Sequence, residues 1–154
     1  MALVTTTHLN FPGTARQALS FYQQVFGGEL TASTYGELGA PADCPHAEKI
    51  VFGLLESQNG FRVMAYDVPG LSEKTPGSTF AGNTQRTREG TVTDSPFFLS
   101  VRGESLEEVT AFWNGLSEGA SVIEPLAASP WSPGFGMLTD RFGVTWVVDV
   151  AHHQ

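Results

Sequence analysis

The two halves of this 154-residue chain follow the same order of secondary-structure patterns. In the first half, an extended stretch at residues 3–11 leads into a helical pattern at residues 14–26. In the second half, an extended stretch at residues 97–102 leads into a helical pattern at residues 105–116. Short β-type runs separated by glycine or proline turns follow each helix. This repetition predicts a duplicated strand–helix–strands unit, with a cleft between two similar modules.

Local signals place the ends of several elements. Thr14 and Ser105 are predicted to be helix N-caps, and Ser105 forms a capping-box pattern with Glu108. Leu106 is expected in the buried stripe of the second helix, because apolar residues recur there at helical spacing. Pro125 is expected to end a strand that begins at residue 121. The Asn-Gly pair at 59–60 predicts a hairpin turn, and residues 140–143 are predicted to form the turn of a second hairpin.

The predicted domain organisation is one compact domain of two modules. Residues 1–67 form the first module, residues 94–154 the second, and residues 68–93 a linker or lid loop between them. The middle segment is rich in Gly, Pro, Ser and Thr and poor in apolar residues, as connectors are. A loop of this length in a compact domain is either functional or a plain connector, and the sequence leaves both readings open.

Composition excludes some classes of partner. The formal net charge of −8 argues against nucleic-acid binding, which needs clustered Lys and Arg. No apolar run approaches the roughly 20 residues that span a bilayer, and no signal-peptide pattern is visible. The single cysteine, Cys44, has no partner for an internal disulfide. A cytoplasmic location without membrane contact is therefore expected.

Several motifs, in order and at characteristic spacing, resemble one known group of proteins. They are Leu9-Asn10-Phe11 with Gly13, Ala18 to Tyr22, Val25 to Gly28, Trp131, Phe135-Gly136-Met137, and Thr139 to Val144 with Trp146. On these residues the chain resembles the vicinal-oxygen-chelate superfamily of glyoxalase I, bleomycin-resistance proteins and extradiol dioxygenases. Within it the chain is most similar to the PhnB-like branch, often labelled 3-demethylubiquinone 3-methyltransferase. The resemblance implies an α+β fold of two βαβββ modules, whose curved mixed sheets surround a central cavity, and it implies a homodimer.

The resemblance also implies where a metal would bind. Enzymes of this superfamily hold a divalent cation with four His or Glu side chains, one from each of four strands. The corresponding positions in this chain fall near four residues: Thr7, Met64, Pro96 and Val147. None of these is a usual ligand for such a cation. We therefore expect no metal or other cofactor, although a divalent metal stays possible.

Other potential ligands are weaker. His8 is one residue from the first ligand position, and a shift of one residue turns a strand side chain to the opposite face. An error of one position in that assignment would bring His8 into the cavity. Cys44 and His46 share a loop, but a Cys-x-His pair without further ligands is a weak metal signal. Cys44 is expected to be a bystander thiol.

A set of aromatic and polar residues is predicted to bind a small molecule. Its members are Phe52, Arg62, Met64, Tyr66, Phe98, Trp131 and Phe135. Aromatic walls with a few polar anchors are typical of small-molecule pockets. Arg62 is the expected anchor for an anion or carbonyl group, and the competing interpretation is an exposed arginine on an edge strand. The competing interpretation of the whole set is ordinary core packing.

Three functions remain open on the sequence. The first is metal-free binding of a small molecule, which the missing ligand residues favour. The second is a metal-dependent lyase, isomerase or dioxygenase, and the third is a dimeric interaction protein with a closed core. Methyltransferase activity is not expected, because the chain lacks the Gly-rich strand–turn–helix that usually binds S-adenosylmethionine. Whether the protein is an enzyme, and on what substrate, the sequence does not say.

Overall fold

The computed structural model describes residues 3–69 and 84–151. The chain divides into two compact units, Met1–Thr79 and Phe80–Gln154. The first unit contains one helix and four strands in its described part: β1 (Thr7–Phe11), α1 (Ala15–Phe26), β2 (Glu29–Thr34), β3 (Ile50–Glu56) and β4 (Arg62–Asp67). Its sheet has the strand order β1-β4-β3-β2, in which β1 and β4 are parallel and the other pairs antiparallel.

The second unit repeats this arrangement after a short hairpin. Its described elements are β5 (Gln85–Thr87), β6 (Gly90–Val92), β7 (Leu99–Gly103), α2 (Leu106–Leu116), β8 (Ser121–Ser129), β9 (Ser132–Thr139) and β10 (Thr145–Val150). The main sheet has the order β7-β10-β9-β8, with β7 parallel to β10. The predicted α+β fold with two βαβββ modules is confirmed.

Each helix covers one face of its own sheet at a glycine. A Cβ atom on Gly53 of β3 would lie 2.5 Å from the Leu19 side chain of α1. A Cβ atom on Gly136 of β9 would lie 2.8 Å from the Trp113 side chain of α2. The missing side chains allow close approach of helix and sheet, and the core of each unit lies at this contact.

The two helices begin in different ways. Ser105 caps α2 as predicted, since its hydroxyl accepts a hydrogen bond from the Glu108 amide at 3.2 Å. Thr14 occupies the predicted N-cap position of α1, but its side chain makes no capping hydrogen bond. The first amide of α1, that of Ala15, instead donates to the buried carboxylate of Asp67 at 2.8 Å. A side chain 52 residues away thus replaces the local cap.

Three other predictions need correction. The segment 68–93 was predicted to be a linker or loop, but β5 and β6 pair within it; residues 70–83 lie outside the described residues. Strand β8 continues through Pro125 to Ser129, because the pairing with β9 shifts between Glu124 and Ala127 and tolerates a residue without an amide hydrogen. Leu106 is 47% exposed at the start of α2, so it does not belong to the buried stripe.

The chemistry-bearing residues lie on the other face of each sheet. We call the face opposite the helix the helix-free face.

Neither helix in the described part of the chain combines the length and the apolar content that crossing a bilayer requires. The predicted cytoplasmic location and homodimer remain predictions.

Candidate functional site

The helix-free face of the first sheet carries three predicted site residues from β4. Arg62, Met64 and Tyr66 alternate with Val63, Ala65 and Asp67, which are buried on the side of α1. Phe52 lies on the neighbouring strand β3 and is 38% exposed. The structure therefore brings these four residues onto one surface of the first unit.

His8 lies on this face, and Thr7 does not. In the parallel pairing of β1 with β4, His8 is the register partner of Met64, and Thr7 is the partner of buried Val63. The imidazole of His8 contacts Tyr66 with 5.2 Å between ring centroids. His8 thus shares the face of Met64 and Thr7 lies on the opposite face, as a shift of one residue along a strand requires, and the first metal-ligand position stays a prediction.

Arg62 is held by neighbours on the same face. Its guanidinium forms an ion pair with Glu56 of β3, its register partner, and donates to the Thr6 hydroxyl at 2.6 Å. Because β4 lies between β1 and β3, the interpretation of Arg62 as an exposed edge-strand arginine is wrong. Its charge is already balanced by a carboxylate.

The helix-free face of the second sheet has a different charge arrangement. Asp149 of β10 is buried and accepts two hydrogen bonds from the Arg102 guanidinium, at 3.1 and 3.0 Å. These bonds raise the pKa of Arg102 above its ordinary value. Phe135 and Met137 of β9 are the register partners of Asp149 and Val147. This surface joins an ion pair to an aromatic ring and a thioether.

Trp131 and Phe135 form an aromatic pair. A cation that was not among the predicted site residues, Arg86, lies beside it. Their rings pack edge to face with 5.4 Å between centroids, and the guanidinium carbon of Arg86 lies 5.6 Å from Trp131 and 5.3 Å from Phe135. Arg86 belongs to β5, in the segment interpreted as a linker. The turn of this hairpin is Arg88-Glu89, and strands of three residues give no clear periodic signal in the sequence.

Two predicted positions lie just before β7. Phe98 is half-buried and lies directly before β7, which begins at Leu99. Pro96 is exposed and outside the strand, so it does not occupy a position on the sheet. The residue at which β7 pairs with Val147 is Ser100.

Of the four positions that the resemblance predicts for metal ligands, Met64 and Val147 lie on the helix-free faces, Thr7 lies on the opposite face and Pro96 precedes β7. On the helix-free faces, the register pairs are His8 with Met64 and Ser100 with Val147. Of these four side chains only the imidazole is an ordinary ligand for a borderline divalent cation, and a thioether, a hydroxyl and an isopropyl group do not complete a ligand set. Throughout residues 3–69 and 84–151, no three His, Cys, Asp or Glu side chains form a group that could hold a metal ion.

Cys44 and His46 lie at a separate cleft in the first unit. The thiol sulfur is 3.3 Å from Nδ1 of His46, whose ring packs against Tyr35 at 4.8 Å. The cleft has a volume of about 310 Å³, and Arg16 and Lys49 are among its lining residues. The loop places this pair away from the helix-free face, so it is not part of the predicted ligand site.

Comparisons with known proteins agree with this architecture. Residues 8–148 match the family model of the glyoxalase/bleomycin resistance protein/dioxygenase superfamily. The chain is 25% identical over 153 residues to protein YjdN of Escherichia coli K12, covering 96% of this chain and 95% of that protein.

Solved structures give the same result. Protein PA1353 of Pseudomonas aeruginosa is 31% identical, with a TM-score of 0.75 and coverage of 99% of this chain and 100% of that one. A PhnB protein of Bacillus cereus, whose name carries the 3-demethylubiquinone-9 3-methyltransferase label, is 24% identical with a TM-score of 0.69, covering 97% of this chain and 100% of that one. The second likeness concerns the fold alone. The chain belongs to the glyoxalase/bleomycin resistance protein/dioxygenase superfamily.

Proposed function

We propose that the protein binds a small organic molecule at a helix-free face without a resident metal ion. The observation that carries this proposal is the chemistry of the positions that the resemblance predicts for metal ligands, near Thr7, Met64, Pro96 and Val147, together with His8 beside the first. At most one of them, His8, is an ordinary ligand for a divalent cation. A catalytic zinc site, for comparison, uses about three protein ligands.

The surrounding side chains support binding of an organic ligand. Phe52 and Tyr66 in the first unit, and Trp131 and Phe135 in the second, present aromatic surface beside polar groups. Trp131 is 50% exposed and Phe52 is 38% exposed, so apolar area is available to a ligand. Burying such area gives the main favourable term in small-molecule binding, and a few polar groups set the orientation.

Metal content tests the first part of this proposal. Tag-free protein is dialysed against a mild chelator, then offered Zn, Ni, Mn and Fe(II) separately and analysed by elemental mass spectrometry. We expect no stoichiometric metal after any treatment. About one retained ion per chain, lost in a His8→Ala variant, would overturn the proposal and favour a metal-dependent lyase, isomerase or dioxygenase.

Ligand binding tests the second part. A thermal-shift screen of small aromatic compounds should yield binders that quench tryptophan fluorescence. Trp131→Ala should abolish this quenching, because Trp146 is fully buried, Trp113 packs on the helix side of the sheet at Gly136, and Trp131 is half exposed. Unchanged quenching and affinity in that variant would contradict a role for Trp131. The absence of any binder would favour the dimeric interaction protein.

A further inference from the structure

Arg86 presents a positive charge beside two aromatic rings. Its guanidinium carbon lies within 6 Å of both the Trp131 and Phe135 ring centroids, at 5.6 and 5.3 Å. The hairpin fixes this position, because Arg86 Nη1 donates to the hydroxyl of its register partner Thr91 at 3.0 Å. Thr91 in turn lies 3.5 Å from the Met137 sulfur on β9. The guanidinium is therefore held against the main sheet rather than extended into solvent.

The charge of Arg86 lacks a carboxylate partner in the described part of the chain. The ion pairs among the described residues join Arg62 to Glu56, Arg102 to Asp149 and Arg141 to Glu118. A half-buried arginine left outside these pairs is unusual in a protein of net charge −8. Its site is suited to an anion, because a guanidinium offers several N–H donors and, among the residues that the structure describes, only the Thr91 hydroxyl accepts from them.

The exposed indole of Trp131 indicates what the rest of the ligand would be. Half of the surface of Trp131 is open, and its edge-to-face contact with Phe135 fixes the plane of the indole. A second aromatic ring can stack on the open part of the indole while a substituent reaches the guanidinium. A ligand with a planar aromatic body and an anionic substituent would use both features at once.

We propose that Arg86, Trp131 and Phe135 form a binding site for a planar aromatic anion, such as an aromatic carboxylate or sulfonate. This inference rests on the proposed function, since it assigns the chemical class of the small molecule and the part of the second unit that recognises it. Trp131 supplies the stacking surface, and Arg86 selects for negative charge.

The test compares two probes that differ only in charge. Binding of 2-naphthoate and of uncharged 2-naphthalenemethanol is measured by calorimetry at low salt. We expect 2-naphthoate to bind about tenfold more tightly, because a hydrogen bond to a charged group is stronger than one to a neutral group. Added salt should weaken 2-naphthoate binding and leave the alcohol almost unaffected.

Two variants of equal net charge locate the effect. Arg86→Gln should remove the preference for 2-naphthoate, whereas Arg88→Gln, in the exposed turn of the same hairpin, should retain it. Trp131→Ala should weaken both probes. Thermal unfolding of each variant shows whether it is folded, and Arg86→Lys, which keeps the charge, should retain part of the preference.

The outcomes separate the two proposals. Equal affinity for both probes would overturn the assignment of an anion site, and so would an equal loss of 2-naphthoate affinity in Arg86→Gln and Arg88→Gln. In either case, binding of the alcohol that depends on Trp131 would still support the proposed small-molecule binding. Binding of neither probe would count against this anion site. If the wider thermal-shift screen also gave no binder, the proposed function itself would fail.

Discussion

At the ends of β4 and β10, equivalent backbone carbonyls are held by different side chains. The equivalence follows from two matching hydrogen bonds, Val68 amide to Phe11 carbonyl and Ala151 amide to Gly103 carbonyl, both 2.8 Å. In the first unit the Tyr35 hydroxyl donates to the carbonyl of Asp67 at 2.7 Å. In the second, the Ser132 hydroxyl donates to the carbonyl of Val150 at 2.9 Å. Both carbonyls accept a hydrogen bond from a side-chain hydroxyl, but a tyrosine supplies it in the first unit and a serine in the second.

The strand registers also show on which face of the sheet the two units differ more in their side chains. Gly53 and Gly136 are equivalent, because each pairs with the residue of the last strand that faces the helix, and both admit a helix side chain. On the helix-free face, the equivalent pairs are His8 and Ser100, Met64 and Val147, Asn10 and Arg102, and Tyr66 and Asp149. Close packing restricts the helix side. The helix-free faces are where the two units differ in chemistry, and function is best sought there.

The largest expected effect comes from the contrast between the helix caps. Asp67 accepts hydrogen bonds from the Ala15 and Ile50 amides, at 2.8 and 2.9 Å, and only 2% of it is exposed. Asp67→Asn replaces one acceptor oxygen by a buried donor and should lower the free energy of unfolding by about 3 kcal/mol. Ser105→Ala removes a local cap and should cost about 1 kcal/mol. Urea unfolding followed by circular dichroism measures both, and equal losses would contradict a special role for Asp67.

Local signals predicted most of the fold because they act over short distances. The capping pattern of Ser105 and Glu108 and the Asn-Gly turn before Phe61 are confirmed, since each depends on neighbouring residues. The cap of α1 could not be found this way. It depends on the pairing of β1 with β4, which brings Asp67 beside Ala15 only after the sheet forms.

The candidate site was predicted in part. Alternation along β4 correctly grouped Arg62, Met64 and Tyr66 on one face, because the side-chain period of a strand is two. The register of β1 against β4 had no local signal, so the sequence left open whether Thr7 or His8 lies on the face of Met64. Arg86 was missed because a three-residue strand is too short to give a clear periodic pattern.

A smaller effect tests whether the two glycines are equivalent in energy as well as in position. A Cβ on Gly53 would lie 2.9 Å from the Ala65 carbonyl oxygen, and one on Gly136 would lie 3.0 Å from Cα of Leu126. Because backbone atoms cannot move as easily as side-chain ends, Gly53→Ala and Gly136→Ala should each destabilise by about 2 kcal/mol. A gain from reduced unfolded-state entropy would offset only part of this loss.

The control for these variants is Ala128→Val, which adds volume at an exposed position of β8. It should change the free energy of unfolding by no more than about 0.5 kcal/mol. Chemical denaturation of the three variants gives the comparison. If only one glycine variant is destabilised, the two helix–sheet contacts are not equivalent in energy despite their matching registers.

The smallest effect distinguishes the two hydroxyl groups that hold the equivalent carbonyls. Tyr35→Phe removes one hydrogen bond and should cost about 1 kcal/mol at neutral pH. Burial, with smaller contributions from Tyr66 and Asp67, raises the pKa of Tyr35 above its ordinary value of 10.0. Between pH 10 and the folded pKa, the folded state binds more protons than the unfolded state, so stability falls as pH rises. The wild type should lose stability in this window more steeply than Tyr35→Phe.

Ser132→Ala is the control, because it removes a hydroxyl that does not titrate in this window and keeps Tyr35. Its difference in stability from the wild type should stay constant with pH. Parallel pH profiles for wild type and Tyr35→Phe would show that the phenol does not titrate differently in the two states.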